Sequence, residues 1–375
     1  MRVELPQPSP AEHEHSERVA VLIRAEIAAA GGVLDFERYM ELALYAPGLG
    51  YYSAGKTKFG AAGDFVTAPE LGFLFARCVA RAIAPTLLAS SGDVLELGPG
   101  SGALAAELLL ELERLGALPP RYRLLERSAD LRARQRETLQ DRCAHLLQRC
   151  EWLDTPPPSA WRGVLLANEV LDALPVRVFA LRDSGLFARA VASDAQGRFA
   201  WREMPADERL HSYVQRTLGE RIVTLPRPYV SEICPLLAPW FIEVTRTLAS
   251  GVALFIDYGH TRAEYYAPQR SQGTLRCHYR HRAHDDPLIL PGIQDITAWV
   301  DFDALGDVAV TCGWRMDGLS MQNRFLTEHG LSAVFETAFA AATSETERYQ
   351  LAQQAKRLML PDQMGERFWV MSLTR

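Results

Sequence analysis

The sequence predicts an α/β protein whose core is a parallel sheet covered by helices on both faces. Three observations predict it. From residue 93 onward, apolar strand-like runs alternate with helix-like stretches. The first of those runs ends in a glycine-rich turn, VLELGPGSG at 94–102, that opens a helix. Later, three short alternating segments separated by turn residues read as an antiparallel meander inserted in the sheet.

The elements follow in order. Residues 1–9 are Pro-rich. Ser9-Pro10 reads as the N-cap and first position of a helix that stops at Gly31-Gly32, with Val19, Leu22, Ile23 and Ile27 as its apolar stripe. Asp35 is placed to cap a second helix, FERYMELALY, ended by Pro47-Gly48. Residues 48–72 form a long glycine-rich stretch without a period, whose aromatics (Tyr51, Tyr52, Phe59, Phe65) suit a functional loop rather than a disordered one. A helix is expected from Leu71 to Leu88.

Then DVLELG, YRLLE, HLLQRCEWL and GVLLANEVLDALP supply four strands, the last ending near Ala167. ALAAELLLELERLG and SADLRARQRETLQ supply helices between them. VALFIDYG (252–259) is a fifth buried strand, led in by a helix over 236–249. VRVFALR, LFARAVAS and RFAWREM make the meander, and RFWVMSL a last strand. This gives an expected division: 1–90, a helical segment and lid; 91–181, the first part of the core; 182–250, the inserted meander and helix; 251–375, the second part, with a His/Arg-rich loop at 260–295.

Totals narrow the function classes. The 375 residues carry 40 basic and 46 acidic side chains, a net charge of −6, which argues against a duplex nucleic-acid binder. Six scattered cysteines without a CxxC pair read as reduced thiols of a cytoplasmic setting. The N-terminus lacks the apolar run of a secretory signal, and no apolar run reaches the length of a membrane span.

The turn at Gly98, Gly100 and Gly102 lets a ligand approach backbone amides and a positive helix end. Two ligand classes use such a turn. A dinucleotide reading takes Gly98, Gly100, Ala103 and then Glu126 for the ribose. An S-adenosylmethionine (SAM) reading takes Glu96, the three glycines and Glu126. Charge separates them: Glu96 repels a pyrophosphate and attracts a sulfonium or ammonium. In either reading Glu126, closing the second strand, faces ribose hydroxyls.

At the end of the fourth strand stand Asn168, Glu169 and Asp172, where open α/β sheets collect reacting groups. Two carboxylates there suit a cationic or amine-bearing acceptor, and a proton leaving a methylated nitrogen. The bland reading is a helix cap with a solvated Asp172.

Several blocks now converge. YYSAGKTKFGAAGDFVTAPELG, LELGPGSGALA, ANEVLDALPV, FIDYGH and GTLRCHYRHRAHDDPLILPGIQDITAWVDF resemble the MidA-like family of SAM-dependent methyltransferases. These are bacterial relatives of the mitochondrial complex I assembly arginine methyltransferase, and the resemblance covers roughly residues 15–375. It implies a Rossmann-like, seven-stranded methyltransferase core with an N-terminal helical lid and inserted segments. It implies SAM at Gly98, Gly100 and Glu126, with Asp64, Phe65 and Thr67 matching the lid motif that folds over it. Asn168 and Glu169 match the motif after strand four. The mitochondrial member's acceptor is a protein arginine. One departure is Trp299, where a histidine is expected, which weakens any use of an imidazole at that position.

For an arginine acceptor, Glu169 would grip the guanidinium, helped by Asp172 or Glu70. The expected partner is thus an unidentified protein acceptor; the other readings are a small-molecule N- or O-methyltransferase, an assembly chaperone that binds SAM without turnover, and a nicotinamide oxidoreductase. His278, His281 and His284 with Asp285 and Asp286 resemble a metal set. Their spacing suits one metal poorly, and Arg276, Arg280 and Arg282 repel a cation, so a rim around the acceptor or a solvated loop is preferred and no metal is expected. Trp152 reads as an adenine neighbour or a core residue, and Tyr51 and Tyr52 as ligand or lid-packing residues. Cys277 reads as an inert thiol.

Overall fold

The computed structural model describes residues 5–54 and 68–375. The lid-motif residues Asp64, Phe65 and Thr67 lie outside the described residues.

The core is a sheet of seven strands: β1 (Asp93–Leu97), β2 (Tyr122–Leu125), β3 (Cys150–Leu153), β4 (Trp161–Asn168), β5 (Leu248–His260), β6 (Arg315–Met321) and β7 (Phe368–Thr374). Their order across the sheet is β3-β2-β1-β4-β5-β7-β6, with a two-residue strand, Val300–Asp301, beside the end of β5. β1 to β5 run parallel, and β7 runs antiparallel to both β5 and β6. The central strands are apolar on both faces, as burial under two helical layers requires: Val94, Leu95, Val164, Leu165 and Leu166 are fully buried. After β1 the chain moves one way to β2 and β3, then returns to β4 on the other side. That reversal opens a crevice at the carboxyl ends of β1 and β4.

The helices include α1 (Pro10–Ala29), α2 (Phe36–Tyr45), α3 (Phe73–Ser90), α4 (Ala103–Arg114) and α5 (Ala129–Cys143). Ser9 and Glu12 form a reciprocal capping box that starts α1, as the Ser9-Pro10 pattern predicts. Asp35 precedes α2 but makes no side-chain cap. Its carboxylate instead meets Arg177, which also holds Asp207. α3 begins two residues later than expected, after a 3₁₀ turn at Ala68–Leu71. By length and composition α3 is the one helix among the described residues apolar enough to cross a bilayer. It is a core helix, with Leu74, Phe75, Val79 and Ile83 buried against the sheet layer.

The meander differs from expectation. Arg177–Arg182, Gly185–Ser193 and Phe199–Pro205 do pair antiparallel, but in a second sheet rather than within the first. Tyr229–Ile233 and the short strand Leu34–Asp35 complete that sheet. The reason is burial: Val178, Ala180 and Val191 pack with α1 and α2 in a core of their own. The lead-in helix to β5 spans Leu237–Thr245, and β5 starts at Leu248, earlier than the expected 252. The 260–295 loop also contains order, a small sheet of Arg276–Tyr279, Arg282–His284 and Asp295–Thr297.

α3 and α4 are locked by Glu111, which is 2% exposed and meets Arg114 at 2.6 Å, Arg81 at 3.4 Å and Arg77 at 3.8 Å. Burial pushes its carboxyl up, but hydrogen bonds and charge from Arg114, Arg81 and Arg77 more than offset this, leaving it below the ordinary value. Glu111→Ala strands three partly exposed guanidiniums, and urea unfolding should show a loss of about 1–3 kcal/mol.

Candidate active site

The crevice at the switch point is a cleft of about 870 Å³. Its lining among the described residues carries seven carboxylates (Glu70, Glu96, Glu126, Asp130, Glu169, Asp172, Asp295) against one guanidinium, Arg127. That imbalance selects a cationic ligand and disfavours a pyrophosphate.

One end is built by the turn after β1. Gly98, Gly100 and Gly102 all take left-handed backbone, with φ of +57°, +55° and +84°. Two of them also need the missing side chain: a Cβ at Gly98 would meet Val170 at 3.1 Å, and one at Gly102 the Gln135 backbone at 3.1 Å. Gly102 is the N-cap of α4 and does not itself line the cleft, so its role is to bring α4 in at the correct angle. Glu96 is buried at 2% exposure and accepts the Tyr122 hydroxyl at 2.7 Å. Burial pushes its carboxyl up to about 7, so it is a carboxyl awaiting a positive charge. Glu70 accepts a hydrogen bond from Ser101 across the turn.

Glu126 follows β2 and faces the cleft, accepting Ser128 N–H at 2.8 Å. A fully buried residue that sequence reasoning missed ties these parts together. The Gln135 amide donates to the Gly100 carbonyl at 2.9 Å and the Glu126 carboxylate at 3.3 Å. Its own oxygen accepts Trp152 Nε1 at 2.9 Å. Trp152 therefore stands behind the site, under the Arg136 guanidinium, and does not line the cleft. A glutamine inside a charged helix carries no periodic or motif signal, so only the packing reveals it.

The other end is built by the turn after β4. Glu169 has φ +53°, a left-handed backbone unusual for a non-glycine. Asp257, at the end of β5, explains how it is held. One oxygen of Asp257 accepts the N–H groups of Val170, Leu171 and Asp172 at 3.1, 2.8 and 3.2 Å, and the other accepts Tyr258 N–H at 2.8 Å. Asn168 donates to Glu169 at 3.0 Å, and among the described residues its Oδ1 is buried without a hydrogen-bond partner. Burial and the Asp257 charge push Glu169 up to about 8. Burial, Asp257, Asp295 and Glu169 push Asp172 up as well. Asp172 is 7% exposed, so the solvated-cap reading fails.

A third wall comes from the N-terminal segment and the small sheet. The Tyr45 hydroxyl donates to the Ala173 carbonyl at 2.9 Å, and Tyr52 donates to Asp295 at 2.9 Å. Tyr52 lines the cleft, whereas Tyr51 is buried in the N-terminal core. Of the three loop histidines only His278 reaches the cleft. His281 sits in a turn with φ +60°, and His284 is buried elsewhere. Among the described residues no three His, Cys, Asp or Glu side chains gather as a metal set. Cys277 is fully buried and burial pushes its thiol up, which makes it inert. Trp299 packs against His260 and Arg270 and does not line the cleft.

The model for a family described as S-adenosyl-L-methionine-dependent methyltransferases matches residues 78–320. The chain belongs to that family. This methyltransferase is 30% identical over 371 residues to the mitochondrial protein arginine methyltransferase NDUFAF7 of Mus musculus, spanning 91% of this chain and 81% of the relative. It is 30% identical to the Rattus norvegicus protein of the same name, spanning 97% and 86%. A crystal structure from Burkholderia thailandensis, bound to S-adenosyl-homocysteine, superposes with a TM-score of 0.93 at 42% identity, covering 99% of this chain and 95% of that one. A native crystal structure from the same organism gives 0.90 at 42% identity over the same shares.

The residues present fit SAM: a glycine cradle, a buried carboxyl at Glu96 for positive charge, and the Asn168 oxygen, unpartnered among the described residues, for a donor. The protein is a SAM-dependent methyltransferase.

Two outcomes follow from this end of the site. Between about pH 4.5 and 7 the folded, ligand-free protein keeps a proton on Glu96 that the unfolded chain has released, so Glu96 lowers stability as pH rises through that window. Glu96→Gln should raise the melting temperature at about pH 8 but not at about pH 4, and weaken SAM binding roughly tenfold or more; thermal melts and calorimetric titration check both. Gln135→Leu, which removes three hydrogen bonds, should weaken S-adenosyl-homocysteine binding on the order of 10–100-fold by calorimetry.

Proposed function

We propose that this methyltransferase transfers a methyl group to a guanidinium nitrogen of an arginine in a protein acceptor. The observation that carries the reading is the paired Glu169 and Asp172, turned into an acidic cleft beside the glycine turn. The names of the 30%-identical relatives, protein arginine methyltransferases, support it.

Glu96, Gly98, Gly100 and Glu126 would hold SAM, with Gly102 shaping the turn and Trp152 acting through Gln135. When bound, SAM supplies a methyl already activated on a sulfonium. The protein's contribution is alignment and exclusion of water, worth on the order of 7–11 kcal/mol of barrier. An arginine side chain arrives protonated, because its pKa exceeds about 12. Glu169 grips the guanidinium bidentately, Asp172 adds a second negative charge, and Asn168 orients Glu169. Drawing positive charge to one side leaves the far nitrogen richer in electrons. Glu70, bonded to Ser101, belongs to the cofactor side rather than to this grip. The unpaired cysteines support a reducing, cytoplasmic setting, although the relatives are named as mitochondrial.

Glu169 must ionise to hold a cation. Acceptor capture should therefore strengthen as pH rises toward about 8, with a proton released on binding. Glu169→Gln should keep S-adenosyl-homocysteine affinity within about twofold while methyl transfer to proteins of a cell extract falls on the order of 100-fold. Unchanged transfer from labelled SAM, or methyl recovered on an amino acid other than arginine after hydrolysis, overturns the reading.

A further inference from the structure

We propose that His278 is the proton acceptor of the reaction, with Asp295 as the group that steadies its charged form; the proposal rests on the guanidinium reading above. The small sheet places them. His278 and Asp295 are direct cross-strand partners, as are Cys277 and Ile296, and Arg276 and Thr297. Side chains alternate across a strand pair. Cys277 and Ile296 enter the N-terminal core, while His278, Asp295 and Thr297 face the cleft. Directly paired residues have Cβ atoms about 4.5–5.5 Å apart. Asp295 is 2% exposed and accepts the Tyr52 hydroxyl at 2.9 Å.

The chemistry requires such a group. As the new N–C bond forms, the electron pair of the old C–S bond stays with sulfur, and the guanidinium must shed one N–H proton. Glu169 and Asp172 are committed as anions to the cation they hold, so neither is free to take that proton without loosening its grip. A neutral imidazole can take it, and the resulting imidazolium finds Asp295 beside it before passing the proton to solvent. Burial, Arg276 and His284 hold the His278 imidazole down at about 4, so it is neutral at pH 7. Arg276 and His284 act on it from its own hairpin, Asp295 stands opposite on the paired strand, and Tyr52, Glu169 and Asp172 line the same cleft.

The test has two arms. In the first, imidazole resonances of the protein saturated with S-adenosyl-homocysteine are followed by NMR while N-acetyl-arginine methylamide is added. The His278 resonances should move as the arginine probe is added; a His278 that ignores the probe, or that stays protonated at about pH 8, overturns the proposal. In the second, labelled methyl transfer to extract proteins is compared. His278→Gln should lose about 100-fold in rate with S-adenosyl-homocysteine affinity unchanged, and added imidazole should partly restore His278→Gly. Equal rates in wild type and variant, or loss without rescue, count against a proton-accepting role. Hydrolysis of the labelled proteins identifies the methylated residue, so an error in the arginine reading is scored separately from an error about His278.

Discussion

The site depends on one carboxylate that need not touch any ligand. Asp257 gathers three successive N–H groups of the turn after β4, and so fixes where Glu169 and Asp172 stand. A turn of this kind leaves backbone donors without a helical partner, and burying them unmet would cost about 1–3 kcal/mol each. Asp257 satisfies all three at once, from a neighbouring strand whose register with β4 is set by the sheet. The left-handed backbone at Glu169 is thus held by contacts outside the turn. It aims a carboxylate at the space above β1.

The same economy governs charge. Glu96, Glu169 and Asp172 are buried near one another in a cleft where burial favours their neutral forms. An empty cleft therefore tolerates its carboxyls by keeping protons on them, and a cationic ligand draws those protons off. The acidic lining suits the positively charged methyl donor, and it would suit the arginine acceptor proposed above in the same way.

Much of this was legible in the sequence where residue type alone is decisive. The glycine turn with Glu96, the carboxylates at the end of β4 and the strand–helix alternation need few long-range facts. Other parts were not. Gln135 and Asp257 act through partners distant in sequence: Gln135 lies in no distinguishing pattern, and the FIDYGH block that holds Asp257 does not tell which backbone groups it meets. Whether the meander joins the main sheet or forms a second one depends on which apolar faces meet, here α1 and α2 against Val178 and Val191. The three loop histidines share one spacing, yet strand register sends only His278 into the cleft. Trp152 shows the converse: expected just past the third strand, it lies within β3, and its indole N–H goes to Gln135.

The strand order carries a consequence for synthesis. β7 follows β6 in the chain yet lies between β6 and β5. Until residues 368–374 have left the ribosome, β6 has no place on the sheet and one long edge of β5 has no neighbour. Asp257 on β5 is already fixed by the pairing with β4, so both walls of the cleft can form before the last strand arrives. The last strand thus closes the far side of the sheet and gives β6 its place.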